Sequence, residues 1–210
     1  MSHRNKHDHP RSNTGGIIAI MLTIVVTGGL IYIGLSNQRS STSTQNQDSA
    51  ANPSDMVGKP APDFSLSDSN GTTYSLAGLK GKKVVLFFNE GIMCYPACWN
   101  QVASLGQDKR FQQPDTVALS VVTDSAIAWQ KAVEKMPELA QATVVHDTDA
   151  QTSSAYGALT TKSSMHYGQL PGHTYVIIDQ QGIVRHVFDD PNMAIHNDTL
   201  MKELEKLTSS

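Results

Sequence analysis

Cys94 and Cys98 are the only cysteines among 210 residues, and three residues separate them. Thiols this close can trade electrons by opening and closing a disulfide. A purely structural bridge is the alternative, but stapling three residues removes little entropy from the unfolded chain. Two cysteines at i and i+4 of one regular helix are also badly placed for disulfide geometry. Closure becomes feasible if Cys94 precedes the first helical turn. Just upstream, Glu90 offers a proton acceptor for exchange or, alternatively, a solvated or capping carboxylate. Downstream, Trp99 either shapes the rim of a substrate groove or packs against a sheet.

The flanking sequence must position this pair. Lys83-Val84-Val85-Leu86-Phe87-Phe88 is apolar, β-branched and aromatic, and reads as a buried strand. Gly91 interrupts it, and Trp99, Val102 and Leu105 then recur at helical spacing. The thiols therefore lie where a strand hands over to a helix. The first turn of a helix presents free N–H groups and a positive partial charge, which favour a thiolate there. Pro96 suits that turn, since its missing N–H would have had no partner. Cys94 is the expected attacking thiol and Cys98 the resolving one.

The rest of the domain follows in order. Residues 61–66 alternate up to the turn Ser69-Asn70-Gly71, and residues 72–76 answer as the second arm of a hairpin. Thr116 to Val122 is another buried strand. Asp124 or Ser125 can cap the next helix, with Trp129, Val133 and Met136 on its core face. Thr143 to His146 is a short strand. Asp147 and Asp149 lead into a helix stopped by Gly157, and capping explains them better than a metal. Residues 175–179 and 183–188 form a second hairpin about Gly182. Asn197 or Asp198 opens a last helix with Leu200, Leu204 and Leu207 inward. Strands alternating with helices argue an α/β sheet covered on both faces.

Upstream of the domain the composition changes. Residues 17–35 carry no charge, and as a helix of about 19 residues they span roughly 28 Å, close to a bilayer core. Arg4, Lys6 and Arg11 precede the run, so the positive-inside rule puts the N-terminus in the cytoplasm and the domain outside. The run is longer than a signal-peptide core and no Ala-x-Ala site follows, which favours an uncleaved single-pass anchor in the cell membrane. The expected organisation is a cytoplasmic tail over residues 1–15, a transmembrane helix over 16–35, a polar tether over 36–55 and the domain over 56–210. His3, His7 and His9 lie in the tail and read as solvated rather than metal-binding. Beyond Arg39 there are 12 Lys and Arg against 18 Asp and Glu, a balance near −6 against −3 for the whole chain. That charge gives no footprint for nucleic acid.

Several stretches together resemble the thioredoxin fold, in the branch that holds the AhpC/TSA (peroxiredoxin-like) and TlpA-like redoxins. Val57-Gly58-Lys59-Pro60-Ala61-Pro62-Asp63-Phe64-Ser65-Leu66 is similar to the opening of that family. Ser75-Leu76 with Gly81-Lys82-Lys83-Val84-Val85-Leu86-Phe87-Phe88 resembles its lead into the active-site strand. Asp147 through Ala155-Tyr156-Gly157 and Thr174-Tyr175-Val176-Ile177-Ile178-Asp179 through Gly182 resemble later family segments. The resemblance implies an α/β, thioredoxin-like fold: a central mixed sheet with helices on both faces, here preceded by a single transmembrane helix.

The departures shape the functional expectation. Peroxiredoxins place Thr or Ser three residues before the attacking cysteine; here Gly91 precedes Cys94 and Tyr95 precedes Cys98. They also supply an Arg shortly before the strand that opens here at Thr174, where this chain has Gly172 and His173. TlpA-like redoxins carry Cys-x-x-Cys and a proline before that strand. Cys-x-x-x-Cys is instead the spacing of Sco-type copper chaperones, which bring a histidine from the same loop, the place of His173; two thiolates and an imidazole suit Cu(I). Three functions follow. The leading expectation is a membrane-anchored, extracytoplasmic thiol–disulfide oxidoreductase acting on protein disulfides or thiols through Cys94 and Cys98, with His173, Glu90 and Trp99 supporting and no cofactor. The alternative is a copper-delivery module using Cys94, Cys98 and His173. The third is a thiol peroxidase, disfavoured by the missing Thr and Arg.

Overall fold

The computed structural model describes residues 52–207. Among them no helix is long and apolar enough to cross a membrane; the span expected at 16–35, the tail and most of the tether lie outside the described residues.

Among the described residues, seven strands make one mixed sheet in the order β2-β1-β5-β4-β3-β6-β7. They are β1 (Ser65–Asp68), β2 (Thr73–Ser75), β3 (Lys83–Phe88), β4 (Thr116–Val122), β5 (Val144–His146), β6 (Thr174–Ile178) and β7 (Val184–Asp189). The helices are α1 (Ala97–Gln107), α2 (Ala126–Lys135), the short α3 (Gln151–Ala155) and α4 (Asn197–Lys206). β3 runs parallel to β4 on one side and antiparallel to β6 on the other. All six of its residues are buried, as a central strand covered on both faces requires.

The period-2 alternation of β3 divides the core. Val85 and Phe87 join α1, α2 and α4 through Val102, Trp129, Leu200 and Leu204. Val84, Leu86 and Phe88 face the opposite layer, built from Met56, Phe64, Leu79, Tyr156 and Ala158. Helices thus cover one face, and α3 with short 3-10 turns covers the other.

Several boundaries differ from the sequence reading for local reasons. The first hairpin begins at Ser65, and Pro60 makes only an isolated bridge to Ile183. Ser125, rather than Asp124, caps α2 by accepting from the Ala128 N–H at 3.2 Å. Asp147 does act as a cap, its carboxylate taking the N–H groups of Thr152 and Ser153 at 3.1 and 2.7 Å.

Candidate active site

β3 delivers the chain to the active-site turn, and three side chains fix that turn. The Asn89 side-chain oxygen accepts from the Gly91 N–H at 3.0 Å. Asp124 accepts from the Ile92 N–H at 3.0 Å. The Trp99 indole N–H donates to the Gly91 carbonyl, also at 3.0 Å. Gly91 has φ +58, and a Cβ there would collide with the Asp124 carboxylate. A short 3-10 turn, Gly91–Met93, therefore separates the strand from the cysteines, and α1 starts only at Ala97.

Cys94 stands before the helix and Cys98 within its first turn, and the two are joined by a disulfide with Cα atoms 5.3 Å apart. The Cys98 N–H donates to the Cys94 carbonyl at 3.0 Å, so this amide of the first turn closes the loop. Cys94 is 2% and Cys98 1% exposed, while Met93 and Tyr95 beside them are 57% and 68% exposed. Both cysteines belong to the core cluster shared by α1 and β3.

His173 immediately precedes β6, whose first residue, Thr174, pairs with Phe88 of β3. The topology brings it against the pair, with Nδ1 3.5 Å from Cys98 Sγ. Its Nε2 faces the Tyr175 hydroxyl at 2.8 Å and the Ala194 carbonyl at 3.3 Å. A carbonyl only accepts, so the proton belongs on Nε2 and the Nδ1 lone pair points at the sulfur. Burial holds the imidazole pKa down at about 4, against weaker upward pulls from Asp190 and the Ala194 carbonyl. The ring is therefore neutral at neutral pH. The Sγ atoms of Cys94 and Cys98 and a His173 ring nitrogen all lie within 4.8 Å of one another.

A turn after β7 completes the surroundings. The buried Asp190 carboxylate accepts from the Asn192 and Ala194 N–H groups and from His196 Nε2, at 2.9, 2.7 and 2.7 Å. The Asp190 N–H donates to the His173 carbonyl at 3.0 Å. Met193, at φ +51, rides on this turn, and its Sδ lies 3.7 Å from Cys94 Sγ. Sequence reasoning missed Met193, Asp190 and Tyr175. A methionine 99 positions from its partner carries no pattern, and Tyr175 reads as ordinary strand core.

The other two expected site residues brace the surroundings of the pair. Glu90 is buried, and its carboxylate accepts from the Met165 and His166 N–H groups at 2.6 and 3.0 Å and from His166 Nδ1 at 3.0 Å. It anchors the loop before β6. Trp99 is buried too, with its ring 4.9 Å from Tyr95 and 6.3 Å from Trp129.

The AhpC/TSA family profile matches residues 57–187. The chain belongs to the AhpC/TSA family. Peroxiredoxin Bcp of Escherichia coli K12 is 29% identical over 158 residues, covering 71% of this chain and 96% of that protein. The fold is shared with the reduced 2-Cys peroxiredoxin of Plasmodium vivax, at TM-score 0.60 and 20% identity over 73% of this chain and 82% of that one. It is shared also with the peroxidoxin BcpB of Mycobacterium tuberculosis, at TM-score 0.58 and 22% identity over 72% and 97%.

Against the AhpC/TSA pattern, the departures seen in sequence have structural counterparts. Counted from Cys94 the Thr position is Gly91, whose side-chain space the Asp124 carboxylate fills; counted from Cys98 it is Tyr95. Gly172 is walled in by Thr161 and Ser163, leaving no room for an Arg. The two described arginines are engaged elsewhere, Arg110 with Asp108 and Asp198 and Arg185 with Asp179.

Proposed function

We propose that this AhpC/TSA domain is a thiol–disulfide oxidoreductase held on the outer face of the cell membrane by residues 16–35. The observation that carries the reading is the direct Cys94–Cys98 bridge inside an intact fold: neither sulfur has to leave the site to reach the other. In the reduced protein, the Cys94 thiolate attacks one sulfur of a partner disulfide. A Cys94–partner bond forms, the partner's own bond breaks, and its second sulfur leaves and takes a proton. Cys98 then attacks the Cys94 sulfur and expels the first partner sulfur as a thiol. The partner gains two electrons and the domain ends as the Cys94–Cys98 disulfide. Repeated turnover needs a further dithiol carrier to return two electrons.

The relatives bear the name peroxiredoxin, yet peroxide reduction asks for oriented donors on the transferred oxygen. Gly91 and Gly172 supply none, so we assign disulfide exchange. Cys98→Ser should trap a mixed disulfide with the partner, and Cys94→Ser should trap almost none. Equal trapping by both variants, or by neither, refutes the assigned roles.

One observation favours a second reading, a copper-delivery module. Two potential thiolates and a neutral imidazole stand within 4.8 Å of one another. Soft thiolates with imidazole fit Cu(I), and Cys94, Cys98 and His173 would hold it.

A further inference from the structure

The Met193 thioether has no part in disulfide exchange, yet it is fixed against the pair. Its Sδ is 3.7 Å from Cys94 Sγ, and His173 Nδ1 is 3.5 Å from Cys98 Sγ. A tetrahedral ion with bonds of about 2.0–2.3 Å holds its donors about 3.3–3.8 Å apart, along the edges of the tetrahedron. Both separations already fall on that scale. The turn that carries Met193 is also built to stay in place. Asp190 holds its backbone through two N–H groups, and the Asp190 N–H is bonded to the His173 carbonyl. One turn therefore sets the position of Met193 relative to the imidazole.

We propose that the reduced site binds a soft monovalent cation of the Cu(I) class through four donors: Sγ of Cys94 and Cys98, Nδ1 of His173, and Sδ of Met193. The proposal rests on the copper reading and adds Met193 to it. The donor types select the ion. Thiolate and thioether sulfur suit Cu(I), whereas harder divalent ions prefer carboxylate and water. The neighbouring carboxylates are committed to backbone N–H groups, Glu90 on the loop at 165–166 and Asp190 on its own turn. Tyr175 and Ala194 orient the imidazole from its far nitrogen, as outer partners of a ligating histidine do.

The four donors exist together only in the reduced protein. Two electrons and two protons from a dithiol open the bridge to two thiols, and the cation then displaces the thiol protons. Disulfide and metal are thus alternative states of one site.

The test is an anaerobic Cu(I) titration of the reduced full-length chain in detergent against a chromophoric Cu(I) chelator. Wild type is compared with Met193→Leu, Met193→Ala and His173→Ala, and X-ray absorption counts the sulfur ligands. Far-UV circular dichroism checks the fold of each metal-free variant. The expected result is one equivalent of Cu(I) with three sulfurs and one nitrogen in the wild type. Both Met193 variants should bind at least about tenfold more weakly with two sulfurs, since losing a ligand costs more than losing its outer partner. Unchanged affinity and sulfur count in Met193→Leu, with loss in His173→Ala, overturns the Met193 assignment and leaves the three-donor reading. No tight binding by the wild type overturns that reading and the proposal with it.

Discussion

At the level of single residues, we propose that His173 tunes the disulfide. Its Nδ1 lone pair, 3.5 Å from Cys98 Sγ, accepts a hydrogen bond from the thiol but gains nothing from the disulfide, which has no proton to give. The imidazole therefore stabilises the reduced form. His173→Ala should lower the reduction potential by tens of millivolts, where about 30 mV is 1.4 kcal/mol, and should keep disulfide exchange. A glutathione redox titration of the two proteins measures this; a rise in potential, or loss of exchange, contradicts it. The partners of His173 in sequence reasoning were Cys94 and Cys98, placed by resemblance to the loop before Thr174. The far side of the ring was invisible there. Tyr175 and Ala194 reach it only because β6 and the turn after β7 meet at that nitrogen.

At the scale of elements, the turn between β3 and α1 decides what the cysteines can do. Gly91 takes a left-handed conformation that glycine adopts at little cost, and the Asp124 carboxylate occupies the volume a side chain would need. Burial raises the Asp124 pKa, against the opposing bond from the Ile92 N–H, so displacing that carboxylate also strips the Ile92 amide of its partner. Installing the hydroxyl of the peroxidase pattern by Gly91→Thr should therefore destabilise the domain by about 3 kcal/mol or more and confer no fast peroxide reaction. Denaturant unfolding and peroxide kinetics on the variant check both halves. A stable variant with peroxidase activity would show that the turn can be rebuilt. The elements themselves were legible. β3, β4, β6 and α1 carry long, patterned apolar runs that propensity and periodicity identify. The 3-10 turn at Gly91–Met93 was not, because Gly-Ile-Met has no repeating pattern and its conformation comes from Asn89, Asp124 and Trp99. The burial of the pair was equally hidden. A strand-to-helix junction is often exposed, and here α1 and the turn after β7 close over it.

On the scale of the whole molecule, the compartment decides the chemistry. An oxidising environment closes accessible dithiols, whereas the cytoplasm keeps them reduced. The uncharged run at 17–35 and the basic residues before it support an outward-facing domain on a polar tether. Protease added to intact spheroplasts should remove the domain and leave the N-terminal segment in the membrane. A protected full-length chain would put the domain in the cytoplasm and remove the need for a dedicated electron carrier. Whether the Cys94–Cys98 pair exchanges with disulfides rather than reducing peroxide is read directly from a stopped-flow comparison on the reduced protein. With hydrogen peroxide, oxidation should proceed at the rate of an ordinary thiolate. With a protein disulfide, it should be faster and should end in the Cys94–Cys98 bridge. Oxidation by peroxide several orders of magnitude faster than small thiols, with negligible reaction toward disulfides, would contradict the account.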